Sequence, residues 1–258
     1  MIGGNPMSAY TNFAKVYDEF MDNIPYETWA DYIYTLLQDY HISTGLMLDL
    51  GCGTGTLTNL MADKGFDMIG LDNSIEMLEI AREKSLDKEK NILYLLQDMR
   101  EFELYGTVSS IISVCDSLNY ILDLDDLTTV FQLANNYLDP KGIFIFDFKT
   151  EAYYKNVLGE NIIAEDRDTM SFIWDNYYDE ESKINEYLLS LFIQNHDNLY
   201  EKFVEEHYQR AYSIEDICTA VKASGLEFIT CYDAFTKNNA TSTSERIYVV
   251  ARECSKTN

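Results

Sequence analysis

The feature that most constrains this chain is the glycine-rich segment Asp49-Leu50-Gly51-Cys52-Gly53-Thr54-Gly55, which joins an apolar run to a helical pattern. Leu46 to Leu50 suit a strand buried on both faces, and apolar residues recur at helical spacing from Leu57. Glycine allows the backbone to adopt positive φ and to approach a ligand closely. The segment therefore predicts a strand, a tight turn and a helix, with a small charged ligand at the N-terminus of that helix.

The spacing of the glycines distinguishes two kinds of ligand. A dinucleotide-binding turn has the pattern G-x-G-x-x-G, whereas Gly55 comes one place too early for that pattern. The segment resembles instead the first motif of the class I S-adenosylmethionine-dependent methyltransferases, an acidic residue followed by G-x-G-x-G. This resemblance implies S-adenosylmethionine as the cofactor, with a cofactor-binding turn made of Asp49, Gly51, Cys52, Gly53 and Gly55.

A second acidic residue stands at a matching distance. Asp72 ends a short apolar strand, 21 residues after Gly51, where a carboxylate binds the ribose hydroxyls in nucleoside-binding α/β folds. The alternative is that Asp72 only caps the helix that begins near Ser74. The segment Gly70-Leu71-Asp72-Asn73-Ser74, followed by Met77, resembles the second motif of the family. The resemblance adds Asn73 and Met77 to the expected cofactor-binding residues.

A third strand, predicted from Ile92 to Gln97, leads into Asp98 and Met99. The resemblance implies that Asp98 accepts a hydrogen bond from the adenine amino group and that the Met99 backbone N–H bonds the ring. From the residue types alone, Asp98 is an exposed carboxylate at a strand end and Met99 an ordinary core methionine.

The strand predicted from Val108 to Val114 runs into the polar cluster Cys115-Asp116-Ser117-Leu118-Asn119-Tyr120. This position resembles the fourth motif of the family, where the transferable methyl group and the substrate meet. The resemblance places Cys115 beside the cofactor, Asn119 at the substrate, and Asp116 and Tyr120 among the candidates for removing a proton. Turn chemistry without any ligand is the alternative for Asn119.

Two amphipathic helices are predicted before the first strand, one from Ser8 to Met21 and one that begins at Pro25. The pattern Tyr10-x-x-Phe13-Ala14-x-x-Tyr17-Asp18 resembles the N-terminal signature of the family, in which such helices cover the cofactor. We expect Tyr17 at the cofactor and Tyr10 at the substrate. Simple packing of both tyrosines is the alternative.

After about residue 150 the pattern changes to long segments rich in β-branched and aromatic residues. They predict a three-stranded antiparallel sheet made of Ser171 to Tyr178, Ile184 to Gln194 and Tyr200 to Tyr212. The third segment resembles the substrate-side strand of glycine and amino-sugar N-methyltransferases. It contains His207, a candidate general base, and Arg210, a candidate ligand for a substrate carboxylate. A packed histidine and an arginine paired with nearby acids are the alternatives.

The order of these segments predicts an α/β fold. Alternating strands and helices indicate a doubly wound, seven-stranded, mostly parallel sheet of the Rossmann-like methyltransferase type. We expect lid helices at residues 1–42, the cofactor-binding core at 43–150 and 213–258, and the antiparallel lid at 151–212.

Composition limits the partners and the location. Nineteen basic residues against 44 acidic ones give a net charge of −25, which repels nucleic acid and anionic membranes. The five scattered cysteines contain no C-x-x-C pair, so neither a disulfide framework nor a metal site is indicated. No apolar run of membrane-spanning length or leader is present, which predicts a cytoplasmic monomer or homodimer.

Together these features predict an S-adenosylmethionine-dependent methyltransferase that acts on a small molecule at nitrogen or oxygen by in-line displacement. Two alternatives remain open from the sequence. One is a protein that binds S-adenosylmethionine without catalysis, and the other is a transferase that uses a modified cofactor such as decarboxylated S-adenosylmethionine.

Overall fold

The computed structural model describes residues 14–22, 24–195 and 197–257, and strands alternate with helices through its first half. Up to the fifth strand the elements are α1 (Ala14–Phe20), α2 (Tyr26–Asp39), β1 (Gly45–Leu50), α3 (Thr56–Asp63), β2 (Phe66–Asp72), α4 (Ile75–Asp87), β3 (Leu93–Leu96), β4 (Val108–Ser113), a 3-10 turn (Ser117–Tyr120), α5 (Leu124–Tyr137) and β5 (Leu138–Lys149). They are followed by α6 (Glu151–Tyr153), a π-helical turn (Tyr154–Leu158), β6 (Ile162–Asp166), β7 (Met170–Asp179), β8 (Ile184–Gln194), β9 (Tyr200–Arg210), α7 (Ile214–Ala223), β10 (Leu226–Asp233) and β11 (Arg246–Glu253).

The main sheet has seven strands among the described residues, in the order β10-β11-β5-β4-β1-β2-β3. Strands β1 to β5 run parallel to one another, and β11 lies antiparallel between β5 and β10. The chain winds outward from β1 to β3 and then returns to β4 on the other side of β1, which creates a switch point. The prediction of a doubly wound, mostly parallel sheet is confirmed.

Both faces of the main sheet are covered, because successive residues of a strand point to opposite sides. Leu48 and Leu50 of β1 pack in a buried cluster with residues of α5 and α7. Met47 of the same strand packs on the other side, with residues of α2 and α3. The rigid core therefore holds the carboxyl ends of β1 and β4 side by side.

The inserted sheet has four strands in the described residues, in the order β6-β7-β8-β9, one more than predicted. The additional strand, β6, is five residues long and mostly exposed, so it lacks the apolar alternation that marks a half-buried strand. The sheet is held over the carboxyl edge of the core by Asn119, whose Nδ2 donates to the Arg210 carbonyl of β9 at 2.8 Å.

Helix α1 links the core to the inserted sheet. Asp18 accepts a hydrogen bond from the Thr54 hydroxyl at 2.7 Å and pairs with Lys84 Nζ at 2.5 Å. Phe20 packs against buried residues of β8, including Leu191. The first predicted helix began at Ser8, and its early residues, including Tyr10, lie outside the described residues. Within the described part of the chain, no helix has both the length and the apolar character needed to cross a membrane.

Candidate active site

The glycine turn follows β1 and passes through three positive φ angles, 80° at Gly51, 52° at Gly53 and 70° at Gly55. It is attached to β2, because the N–H groups of Gly51 and Cys52 both donate to the Leu71 carbonyl, at 2.8 and 2.9 Å. A Cβ on Gly51 would lie 2.7 Å from the Ser117 side chain, whereas a Cβ on Gly53 would meet nothing within 4 Å. The turn is therefore packed at Gly51 and open at Gly53.

Asp72 braces this turn from the end of β2. Its Oδ2 accepts the Gly53 N–H at 2.8 Å, and its Oδ1 accepts the Ser74 N–H at 2.9 Å. Burial raises the pKa of Asp72, and these backbone hydrogen bonds partly offset the rise. The N-cap of α4 is Ser74, whose hydroxyl accepts the Met77 N–H at 3.2 Å. Asp72 thus connects the glycine turn to the start of α4 without being the cap itself.

Asp49 lies beneath the turn and is buried. Its carboxylate accepts a hydrogen bond from the Thr58 hydroxyl at 2.6 Å. Burial raises the pKa of Asp49 to about 7, although the Thr58 hydroxyl lowers it and Asp72 adds a smaller rise. A buried carboxyl with this pKa becomes fully charged only above neutral pH or beside a cation.

The remaining residues expected at the cofactor lie around the same edge, in different environments. Asp98 binds the Arg100 guanidinium, with Nε at 3.0 Å from Oδ1, and this hydrogen bonding lowers the pKa of Asp98. The Met99 methyl group lies 3.3 Å from the position of a Cβ on Gly51, so Met99 borders the turn. Asn73 is exposed and the Met77 side chain is buried.

The chain after β4 makes a sharp turn in which two consecutive residues have positive φ, 61° at Cys115 and 62° at Asp116. The largely buried Asp116 carboxylate pairs with Lys149 Nζ at 2.6 Å and with the Arg246 guanidinium. Arg246 also pairs with Asp147, and we call these four residues the strand-end ion cluster. Burial alone would raise the pKa of Asp116, but Arg246 and Lys149 together lower it.

Tyr17 lies near this turn. The side chain of Tyr17 is half-buried and hydrogen-bonds that of Tyr26, which in turn lies close to Cys115. Burial is the main cause that raises the pKa of Tyr26. Helix α1 therefore places an aromatic hydroxyl above the end of β4.

Tyr120 and His207 meet in a buried network. The Tyr120 hydroxyl lies 3.2 Å from His207 Nδ1 and 2.6 Å from the Tyr187 hydroxyl. On the other side of the imidazole, Nε2 lies 3.4 Å from Glu205 Oε2. The Tyr187 ring stacks on His207 with 4.6 Å between ring centroids. We call Tyr120, Tyr187, Glu205 and His207 the tyrosine–histidine network.

The side chains of Asn119 and Arg210, the two residues predicted at the substrate, make hydrogen bonds within the protein. Asn119 is fully buried, and its amide bonds the carbonyls of Lys149 and Arg210 and the N–H of Lys149. Arg210 donates to the Leu122 carbonyl at 2.8 Å and lies over the Tyr212 ring. It also points to the opposite face of β9 from His207, since the two are three residues apart on a strand. Both side chains hold the inserted sheet on the core.

Five residues of the ion cluster and the tyrosine–histidine network were missed from the sequence: Tyr187, Glu205, Asp147, Lys149 and Arg246. Glu205 had a usable signal, because it stands two residues before His207 and so shares its face of β9. Asp147 also had one, since it interrupts the apolar run of β5. Tyr187 and Arg246 had none, because only the packing of distant strands brings them to the site.

The two halves of the site are connected directly. Ser117 Oγ, in the 3-10 turn that carries Tyr120, donates to the Gly51 carbonyl at 3.2 Å. This contact joins the glycine turn to the segment that carries Tyr120 of the tyrosine–histidine network. A cleft of about 480 Å³ opens at the same edge, beside the ion cluster, and is lined in part by Tyr153, Phe235 and Arg246. No cluster of three or more potential metal ligands occurs among the described residues.

Comparison with known proteins agrees with this arrangement. Residues 47–142 match a family model described as a methyltransferase domain. YqeM of Bacillus subtilis (strain 168), which carries a provisional methyltransferase name, is 34% identical over 247 residues that cover 95% of this chain and 97% of YqeM. A crystal structure of an S-adenosylmethionine-dependent methyltransferase from Clostridium acetobutylicum ATCC 824 is 30% identical, has a TM-score of 0.85 and covers 95% of this chain and 99% of that one.

A more distant relative has a named substrate. It is dTDP-3-amino-3,4,6-trideoxy-alpha-D-glucopyranose N,N-dimethyltransferase of Streptomyces venezuelae, 28% identical over 136 residues that cover 52% of this chain and 56% of that enzyme. The similarity to YqeM and to the Clostridium structure extends over nearly the whole chain and includes the inserted sheet as well as the core. The chain therefore belongs to the class I S-adenosylmethionine-dependent methyltransferases.

Proposed function

We propose that this protein transfers the methyl group of S-adenosylmethionine to a nitrogen or oxygen atom of a small molecule, and that the tyrosine–histidine network takes up the proton that is released. The observation that carries the proposal is the contact of His207 Nδ1 with the Tyr120 hydroxyl at 3.2 Å, because Tyr120 belongs to the 3-10 turn that Ser117 joins to the glycine turn. A buried, hydrogen-bonded histidine beside a strand-end site suits a general base.

The residues present fit the cofactor. The open space at Gly53 leaves room for a ligand against the backbone, and the Asp72 carboxylate is held beside this turn by its bond with the Gly53 N–H. Gly51, Gly53 and Asp72 would hold the cofactor on one side, and Met99 and Cys115 would border it on the other. When bound, S-adenosylmethionine supplies an electrophilic methyl group, and alignment of the acceptor supplies much of the rate.

The path of the released proton follows from the geometry of the network. We assign the proton of the neutral imidazole to Nε2, which lies 3.4 Å from the Glu205 carboxylate, and the lone pair to Nδ1, which lies 3.2 Å from the Tyr120 hydroxyl. As the acceptor loses its proton to the Tyr120 oxygen, the hydroxyl proton of Tyr120 passes to Nδ1. The Glu205 carboxylate stabilises the resulting imidazolium, as a carboxylate does in catalytic triads that contain histidine. The proton lost by the acceptor is thus balanced by the one gained by His207.

Two further observations support a small acceptor. The net charge of −25 disfavours a polyanionic acceptor such as nucleic acid. The relative from Streptomyces venezuelae is named for methylation of an amino group on a nucleotide-linked sugar, which is a small molecule. Within the network, Tyr187, Glu205 and His207 are buried and Tyr120 is half-buried, so Tyr120 is the member that a small acceptor could contact.

The direct test is incubation of the protein with methyl-labelled S-adenosylmethionine and a panel of amines, hydroxy compounds and a metabolite extract. We expect label to appear in a small product, with S-adenosylhomocysteine formed in equal amount. Cofactor binding without transfer to any compound would indicate a binding protein instead. Turnover of decarboxylated S-adenosylmethionine with release of methylthioadenosine would indicate aminopropyl transfer. Either result would contradict the proposal.

Asp72 provides a test of the cofactor position. Replacement of Asp72 by alanine is expected to weaken S-adenosylhomocysteine binding by about 1–3 kcal/mol, because charged hydrogen bonds are lost. Asp67→Ala, at the exposed beginning of the same strand, is the matched control and should bind normally. Isothermal calorimetry measures both, and an Asp72→Ala affinity equal to that of the control would remove Asp72 from the site.

A further inference from the structure

The turn after β4 has an unusual backbone. Cys115 and Asp116 are consecutive, neither is glycine, and both have positive φ. Side chains with a Cβ disfavour this region, and such residues persist only where the surrounding structure imposes them. Something in the fold must therefore hold the turn in this conformation.

The strand-end ion cluster makes the contacts that hold it. The Asp116 N–H donates to Asp147 Oδ1 at 3.1 Å, which fixes the backbone of the turn against β5. The Asp116 carboxylate binds Lys149 Nζ at 2.6 Å and one side of the Arg246 guanidinium, and the other side of that guanidinium binds Asp147. Arg246 thus bridges a carboxylate on the turn and a carboxylate on β5.

The position of Arg246 is set by the main sheet. It begins β11, opposite Lys149 in the antiparallel pairing, and it is largely buried with the Trp29 ring 5.2 Å from its guanidinium. A guanidinium can bind two carboxylates at once through separate N–H groups, whereas a lysine ammonium is a point charge. The bridge depends on the shape of arginine as well as on its charge.

The turn that Arg246 holds is connected to both halves of the site. Ser117, one residue after it, donates to the Gly51 carbonyl in the glycine turn. Tyr120, at the end of the same 3-10 turn, contacts His207 in the tyrosine–histidine network. A change in the backbone at Cys115 and Asp116 would shift both contacts together.

We propose that Arg246 and Asp147 are positioning residues, which hold the Cys115–Asp116 turn in its left-handed conformation and thereby set the glycine turn and Tyr120 at their working separation. Neither residue lies within the 47–142 segment matched by the methyltransferase family model. The role extends the proposed function without depending on which group is the base, because it acts on the cofactor side of the site as well.

The test measures S-adenosylhomocysteine binding by calorimetry at a temperature where circular dichroism shows each variant to be folded. We expect Arg246→Met to bind about tenfold more weakly, because the bridge is lost. Arg246→Lys should bind roughly threefold more weakly, because the bridge is reduced to a single contact. Arg252→Met, on the same strand, is the matched control. It removes a half-exposed pair with Glu227 and should bind normally.

A second variant separates positioning from stability. Glycine adopts positive φ without support from neighbouring residues. The double variant Arg246→Met/Cys115→Gly should therefore bind S-adenosylhomocysteine more tightly than Arg246→Met, after the effect of Cys115→Gly alone has been subtracted. Failure to recover would overturn the proposal. So would Arg246 variants that melt at a lower temperature yet bind with normal affinity, because the cluster would then only stabilise the fold. If Arg246→Met does not fold, an unchanged affinity in Arg246→Lys overturns it.

Discussion

Replacement of His207 by glutamine is expected to slow methyl transfer by about 10²- to 10⁴-fold, the usual contribution of a general base, while the affinity for S-adenosylhomocysteine stays the same. The reason lies in the geometry, since Nδ1 is 3.2 Å from the Tyr120 hydroxyl, whereas the residues expected to hold the cofactor lie on the glycine turn and at the end of β2. Single-turnover rates with the acceptor found in the labelled-cofactor screen measure the first quantity, and calorimetry measures the second.

The other members of the network and a surface histidine provide the controls. Tyr120→Phe keeps the ring and removes the hydroxyl, so it should slow transfer in the same direction as His207→Gln. The double variant should be little slower than the worse single variant, since residues of one proton path are not additive. His41→Gln, on the exposed surface, should react at the normal rate. A normal rate in His207→Gln would contradict the proposal and show that the contact between His207 and Tyr120 does not carry the proton.

Replacement of Gly53 by alanine is expected to weaken S-adenosylhomocysteine binding by about 100-fold, the upper range for inserting a methyl group into a packed contact. In the protein alone the added Cβ meets nothing within 4 Å, so the fold has room for it. The added methyl group would therefore clash only with a ligand that lies against the turn. Calorimetry gives the affinity, and thermal unfolding gives the cost of placing alanine at φ 52°, which we expect to be about 1–2 kcal/mol.

Gly65 is the matched control for that backbone cost. It also has positive φ, 97°, and a Cβ there would meet its nearest atom at 4.0 Å. It follows the far end of α3 from the glycine turn, so Gly65→Ala should lose stability to a similar degree and bind the cofactor product normally. Equal affinities in the two variants would mean that no ligand occupies the space at Gly53.

Sequence reasoning could predict which residues lie together where those residues are close along the chain. Gly51, Gly53 and Asp72 belong to a single strand–turn–helix–strand unit, and the bond between the Gly53 N–H and Asp72 closes within it. The periodicity of apolar residues then predicts the order of strands and helices, because each strand–helix unit buries its own apolar face. The short strand β6 was missed because it is mostly exposed and has no buried apolar face.

The contacts between distant strands could not be predicted from the sequence. His207 and Tyr120 could each be singled out as candidates, but their contact depends on where the inserted sheet rests on the core. Asn119 and Arg210 had the residue types of a substrate site, yet the same docking uses them to hold the two sheets together. A polar side chain at a strand end has the same letter in the sequence whether it faces a ligand or a carbonyl group.

The sequence by itself determined the family, the alternation of the core and the place of the glycine turn and Asp72, because turn geometry and burial pattern act over a few neighbouring residues. The tertiary structure alone decided that Glu205 faces His207 and that Arg246 reaches Asp116 across 130 positions of the chain. The physical reason is that β11 inserts antiparallel beside β5, which brings the beginning of the last strand to the end of the fifth, next to the turn that follows β4. Strand order is a property of the packed sheet as a whole.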